Sequence, residues 1–258
     1  GVQNIVTKMS DFINRSVTGS AVTFIINCGD EINNSIINNL EFIISRIDEM
    51  NSVLSPMRVE IIAASKSINI DIINDVPPCT ILINKGHYLR KAVKFAHSNP
   101  IVIMDYNVLP TMEHMYFFQR EIPRDLIFYF SEKQKVDKMN DAKGETIPSL
   151  ATFQIVNDCN IKNISIPDDL SFIVASKETW LSVKVPPLNV RIHDWLMRLR
   201  CGYISIKFES PVWTWGNSVN NRDFKTVDED FCCKGIMEIK QPKSGDTFIH
   251  YGKRKLIQ

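Results

Sequence analysis

The chain has 258 residues with 30 Lys+Arg against 29 Asp+Glu, a formal net charge of +1 at pH 7. That length suffices for one large domain or two small ones around a substantial buried core. Hydrophobic residues at 44% and charged residues at 23% exclude a disordered, collagen-like or coiled-coil chain, and the near-zero net charge gives no electrostatic reason to expect nucleic acid or an anionic membrane surface as partner.

Residues 21–26 (AVTFII) form a short continuous apolar run, the pattern of a strand buried on both faces. Cys28-Gly29-Asp30 ends it, and Asn27 or Asp30 is placed to cap the next element. Over 31–50, apolar residues at Ile32, Ile36, Leu40, Ile43, Ile47 and Met50 recur every three or four positions, which predicts a helix with one buried face. After Pro56 come a second β run at 58–64, a brief apolar alternation at 67–73 and a third strand at 79–83. Asn84-Lys85-Gly86 turns into a helix over 87–97 with Leu89, Ala92, Val93 and Ala96 inward. A fourth strand at 100–104 is ended by Asp105-Tyr106-Asn107. This alternation predicts an open, mostly parallel α/β sheet flanked by helices, with ligands at the carboxyl ends of its strands.

Further on, 111–120 is expected to be a helix and 125–130 a strand, whereas the Lys-rich stretch 131–144 reads as a solvated helix or mobile loop. Residues 171–175 form another buried-strand pattern, 192–200 a helix stopped by Gly202, and 203–207 an alternating strand. Past Trp215 the periodicity fades. The expected layout is a lead-in over 1–19, one domain over 20–215, and a C-terminal extension over 216–258 packed on that domain, with a hairpin around 242–247.

No stretch reaches the roughly 18 consecutive apolar residues of a membrane helix, and residues 1–20 lack the basic-then-apolar pattern of a signal peptide. Six cysteines include no C-x-x-C pair, so neither a zinc ribbon nor a thioredoxin-type motif is supported. Scattered thiols in a chain of this length point to reduced cysteines and a cytoplasmic location. The 35 Ile and 21 Asn reflect AT-rich codons rather than function, and sequons at Asn14, Asn33 and Asn163 occur at the number chance supplies.

Walker, G-x-G-x-x-G and G-x-S-x-G signatures are all missing, which lowers P-loop kinases, dinucleotide-dependent oxidoreductases and serine hydrolases. Two polar clusters remain. Asp105 and Asn107, two residues apart in a turn directly after a buried strand, can offer oxygens to one hard divalent cation such as Mn2+ or Mg2+; the plain alternative is a strand-ending Asx turn. His193-Asp194-Trp195 stands at the start of a short helix, where Asp194 is either a cap or, facing a cleft, a base at neutral pH. Trp195 fits a core or cleft wall. Trp213 and Trp215 share one side of a strand-like segment, where a core or edge role outweighs saccharide stacking.

Taken in order, these segments resemble GT-A glycosyltransferases over about residues 20–215. The first strand, long helix, second strand and Asn84-x-Gly86 turn are similar to the nucleotide-sugar half of that family. Asp105-x-Asn107 stands where the family keeps its D-x-D motif, residues 171–180 resemble the acceptor-side strand and helix, and His193-Asp194-Trp195 with Gly202-Tyr203 behind it looks like the H-D-W variant of the catalytic segment in family-two-like inverting enzymes. The resemblance implies a GT-A (nucleotide-diphospho-sugar transferase) fold and a metal-dependent, inverting glycosyltransferase. Its donor would be a nucleoside diphosphate sugar, a UDP-sugar first, and its acceptor a saccharide, protein or lipid-linked hydroxyl. Under it, Asp105 and Asn107 hold Mn2+ or Mg2+ and the donor diphosphate, and Asp194 is the general base. Asn27, Cys28, Asp30, Ser65, Lys66, Asn84 and Gly86 lie along the donor, and His193, Trp195 and Trp213 on the acceptor side. Two departures define a rival. Ala63-Ala64-Ser65-Lys66-Ser67 replaces the family's acidic turn, and Asn107 replaces its last carboxylate, as expected of a degenerate GT-A-like binding or scaffolding module. A nucleotidyltransferase would want a Gly-rich basic loop after the first strand, which Cys28-Gly29-Asp30 is not.

Overall fold

β1 (Ala21–Asn27) is buried at all seven positions because it has a parallel strand on each side and helices over both faces. The computed structural model describes residues 20–53, 57–120, 127–144, 153–156, 171–182, 204–216, 247–250 and 255–257. After β1, Gly29 adopts a positive φ of 76°, and the chain forms β2 (Glu31–Ile32) before helix α1 (Asn34–Val53). The helix starts three residues later than the apolar spacing predicts. Ile32 is drawn into the short parallel pairing of β2 with β4 (Ser67–Ile68), and Asn33 caps the helix, its Oδ1 accepting the Ile36 amide at 3.1 Å.

The principal sheet has eleven strands. Besides β1 it contains β3 (Arg58–Ser65), β5 (Thr80–Ile83), β6 (Ile101–Asp105), β7 (Val108–Leu109), β8 (Ile127–Val136), β9 (Phe153–Val156), β10 (Phe172–Ala175), β11 (Ile204–Trp215), β12 (Thr247–His250) and β13 (Lys255–Ile257). Their order is β13-β12-β5-β3-β1-β6-β10-β8-β11-β7, with β9 also on β11. β5, β3, β1 and β6 are mutually parallel, β10 runs antiparallel between β6 and β8, and β8 pairs in parallel with β11. The protein is therefore α/β with a mostly parallel sheet flanked by helices. The chain steps outward from β1 through β3 to β5, then crosses back to β6 on β1's other side, so the strand order reverses between β1 and β6.

α1 buries Ile36, Ile37, Leu40, Ile43, Ile44, Ile47 and Met50 against a core that takes Val22, Phe24 and Ile26 from β1 and Ile61 and Ala63 from β3. The alternate residues Ile25, Ile62 and Leu82 are buried on the opposite face. There α2 (Tyr88–Phe95) packs on β3 and β1 and against α4 (Lys177–Ser182). Trp180 of α4 is 1% exposed; its Nε1 donates to the Ile101 carbonyl at 3.1 Å, and its ring meets Phe128 edge-on with centroids 5.3 Å apart.

Three sequence expectations need correction. Residues 131–136, read as solvated helix or loop, continue β8. Glu132 to Lys135 expose their side chains, yet the backbone pairs with β11 from Val212↔Lys133 to Trp215↔Val136. Side-chain polarity reports exposure and says nothing about a partner for the backbone. β11 likewise runs on to Trp215, resuming after a register shift between Phe208 and Val212. The late hairpin pairs Phe248 with Ile257 and lies further along than 242–247; its β12 adds antiparallel to the β5 side of the sheet. The predicted helix 192–200 lies outside the described residues. Among those described, no helix is long and apolar enough to cross a membrane.

α3 (Met112–Arg120) carries a fully buried imidazole, that of His114. His114 Nδ1 lies 3.0 Å from the Thr111 amide, which can only donate, so the ring proton sits on Nε2 and is shared with Ser131 Oγ at 2.7 Å. With the rings of Phe172 and Phe208 at 4.9 and 4.8 Å, burial pushes the imidazole from its ordinary 6.5 down to about 3, a backbone hydrogen bond to Ser210 opposing it. The unfolded chain takes up this proton near pH 6.5 and the folded chain only near 3. The stabilisation is therefore complete above 6.5 and lost as pH falls toward 3. Moving from pH 7 to pH 5 should cost about 2 kcal/mol through this group alone. Urea unfolding at both pH values should show that difference, and His114→Gln should abolish most of it; an unchanged pH dependence in the variant would clear His114 of the effect.

Candidate functional site

Parallel strands deliver the loops after them to one end of a sheet. Here β5, β3, β1 and β6 end side by side at Ile83, Ser65, Asn27 and Asp105. The register pairs Asn27 directly with Asp105 on one side and with Ala64 on the other. Asn27 Nδ2 lies 3.5 Å from Asp105 Oδ1, a long contact, while Asn27 Oδ1 accepts the Tyr88 hydroxyl at 2.7 Å and the Gly29 amide at 3.1 Å. The Gly29 amide, which can only donate, settles which end of the Asn27 side chain faces the carboxylate. Asn27 is 0% exposed, Tyr88 1% and Asp105 1%.

Next to this cluster, Ser65 Oγ lies 2.9 Å from both the Gly29 and Ser67 carbonyls, and the Lys66 amide donates to Gly29 O at 3.1 Å. Lys66 Nζ pairs with Asp30 Oδ1 at 3.1 Å on the open surface. Exposed pairs of this kind contribute little to stability and leave both side chains able to move. The Asn84 amide donates to Ser65 O at 3.0 Å, and Asn84 Oδ1 accepts the Gly86 amide at 2.8 Å, folding the loop that leads into α2. Asn27, Asp30, Ser65, Lys66, Asn84, Gly86 and Asp105 are thus brought to the same end of four neighbouring strands.

The remaining candidates are placed differently. Cys28 belongs to the apolar core, its thiol 3.6 Å from the Ile26 carbonyl; burial foremost, then Cys79 and Asp105, pushes that thiol well above its usual range. Burial also raises Cys79 to about 12, so neither group is a thiolate nucleophile at neutral pH. Tyr106 is half-buried and raised by burial and then by Asp105. Asn107 is 4% exposed; its Nδ2 donates to the Trp215 carbonyl at 2.9 Å, and its own carbonyl accepts the Trp215 amide at 3.4 Å, tying the turn after β6 to the end of β11. Trp213 is half-buried against the α1-side core, the position the core-or-edge reading expects. His193, Asp194 and Trp195 lie outside the described residues.

Among the described residues, no three His, Cys, Asp or Glu side chains converge as a metal site. Asp105 and Asn107 provide a carboxylate and an amide oxygen two positions apart, and the amide's nitrogen end is committed to Trp215. A carboxylate and an amide oxygen are donor types that Mg2+ or Mn2+ takes together with water and phosphate oxygens, while both side chains here are buried, at 1% and 4% exposure.

Two other polar groupings are structural. His114 and Ser131 form a sealed pair in which the imidazole donates, so Ser131 is not activated as a nucleophile. A cavity of about 390 Å³ at the opposite, amino-terminal end of the strands is lined by Asp48, Arg58, Glu60, Thr80 and His97 among others. Its Glu60 is already engaged, accepting Thr23 Oγ1 at 2.9 Å and the His97 amide at 2.7 Å and pairing with His97 Nδ1 at 2.9 Å.

Tyr88 is the site residue that sequence reasoning missed. It sits 61 positions from Asn27, and the sequence marks it only as the opening of a helix. Compared with protein-family models and with curated protein sequences, the chain matches none of either.

Proposed function

We propose that this protein is a glycosyltransferase that moves a sugar from a nucleoside diphosphate sugar, a UDP-sugar first, to an acceptor hydroxyl with inversion. The observation that carries the reading is the in-register meeting of Asn27 and Asp105 where the strand order reverses, with Ser65, Lys66, Asn84 and Gly86 at the same end of the sheet. In open α/β sheets that reversal is where a crevice for a phosphorylated ligand forms. Asp105 and Asn107 would hold Mn2+ or Mg2+, which supplies neutralisation of the leaving diphosphate's charge. Lys66, paired only at the surface with Asp30, is in reach of the same loop cluster and adds positive charge to it. Asp194 takes the acceptor hydroxyl's proton as that oxygen bonds to the anomeric carbon, and the electron pair of the breaking bond leaves with the diphosphate. A cytoplasmic setting goes with cysteines kept reduced.

A second reading, a GT-A-like binding or scaffolding module, draws on the burial of Asp105 and Asn107 at 1% and 4% exposure. Nucleoside diphosphate release from a panel of sugar donors, with Mn2+ and then with excess chelator, separates the two. The enzyme reading expects turnover that chelator abolishes and Asp194→Asn reduces by about a hundredfold or more. Asp194→Asn as fast as the parent overturns the base assignment. Absence of turnover, with no nucleotide or Mn2+ binding in calorimetry, favours the scaffold.

A further inference from the structure

We propose that the cavity at the amino-terminal end of the strands binds a small zwitterion of the α-amino-acid class, its carboxylate on Arg58 and its ammonium on Asp48, with the Thr80 and Ser98 hydroxyls completing the polar lining. The cavity lies at the end of the sheet opposite Asn27 and Asp105, so this binding is independent of the glycosyl-transfer reading.

Glu60 and His97 are engaged with each other and Glu60 with Thr23, but the other polar groups of the lining are not. Ser98 is 3% exposed and Thr80 9%. Among the described residues neither hydroxyl has a hydrogen-bond partner, and neither is sealed off from the cavity. A hydroxyl so placed calls for a polar occupant, because a buried donor left unmatched is costly. Asp48 and Arg58 are exposed residues and border the same cavity. Among the described residues neither side chain has an ion pair or hydrogen bond, to the other or to any third group. Partial burial raises the Asp48 carboxyl above its ordinary value, and no neighbouring cation offsets it. The cavity thus carries one unmatched charge of each sign. A simple anion would meet Asp48 and Glu60, and a simple cation would leave Arg58 unmatched; one molecule bearing an ammonium and a carboxylate answers both. At a water's share of about 30 Å³ per non-hydrogen atom, the volume holds roughly a dozen such atoms, the size of one free amino acid. Ile44 and Ile61 add an apolar stretch to the lining, which favours an aliphatic side chain such as that of leucine.

Titration of the full chain with L-leucine, followed by NMR at the backbone amides of Thr80 and Ser98, tests this. Two probes remove one charge each: L-leucinamide lacks the carboxylate, and 4-methylpentanoate lacks the ammonium. Each should bind about tenfold or more weakly than leucine, the weight of one hydrogen bond between charged groups. Arg58→Gln should bring leucine down to the affinity of leucinamide while leaving leucinamide itself unchanged, and Asp48→Asn should do the same with respect to 4-methylpentanoate. Both positions are exposed, so neither variant disturbs the core. A general loosening of the fold would weaken all three probes together and would overturn the assignment of charges. Leucine and leucinamide binding equally well would overturn the role of Arg58, and with it the zwitterion. No shift at Thr80 and Ser98 with leucine at about 10 mM would overturn the site altogether.

Discussion

Asp105→Asn is expected to lower turnover of a nucleoside diphosphate sugar by about a hundredfold or more at saturating Mn2+, the scale on which removing a charge-stabilising group acts in a water-poor site. The substitution is nearly isosteric, and the Asp105 amide keeps its hydrogen bond to the Ser171 carbonyl at 3.1 Å, so the turn after β6 has no reason to move. What changes is the charge. At 1% exposure the carboxylate sits almost out of water, where a charge is costly to the fold and strong in its action on a cation. Thermal melting of the same variant, read beside its turnover, separates lost chemistry from a lost fold. Turnover within about threefold of the parent would remove Asp105 from the site.

Trp180→Ala is expected to cost about 3–5 kcal/mol of stability, read as a lower urea midpoint at an unchanged slope. Trp180 is the largest fully buried side chain among the described residues, seated where α4 meets the far side of the sheet. Three losses coincide in the variant: the area of the indole, its edge-on contact with Phe128, and the Nε1 hydrogen bond to the Ile101 carbonyl at 3.1 Å. Trp180→Phe retains the first two in large part and should cost only about 1–2 kcal/mol, mostly for the carbonyl left without that donor. Equal losses in the two variants would mean that the hydrogen bond, rather than the packed ring, carries the contribution. β10, on which α4 follows directly, sits between β6 and β8. A loosened α4 should accordingly be felt on the β6 side, as a faster amide exchange at Ile101 to Asp105.

Several elements were legible because their information is local. The run at 21–26 and the three-four spacing of Ile36, Leu40, Ile43 and Ile47 reach the structure as β1 and α1 with ends displaced by one to three residues. The helix at 111–120 appears as Met112–Arg120, and the strands at 58–64, 79–83 and 100–104 as Arg58–Ser65, Thr80–Ile83 and Ile101–Asp105. The second half of β8 was illegible for the converse reason. Glu132, Lys133, Gln134 and Lys135 all face solvent, and what keeps them extended is a hydrogen-bonded neighbour about eighty positions downstream. At the start of α1 the sequence offered Asn27 or Asp30 as the cap, and the pairing of β2 with β4 moves the helix start on so that Asn33 caps it instead.

The candidate site divides along the same line. Asp105 and Asn107 stand out in the sequence because a polar pair directly after a buried strand is visible without knowing any neighbour. Their surroundings are not. Asn27 comes to Asp105 across 78 residues and Tyr88 to Asn27 across 61. Both contacts exist because the chain passes outward through β3 and β5 and then returns to lay β6 against β1. The sequence alone determined the elements and their buried faces, since periodicity of two or 3.6 is set by side chains a few positions apart. The tertiary structure alone decided which strand ends are neighbours, because parallel pairing is fixed by the direction of the crossovers and by packing on both faces, and neither is written in any single segment.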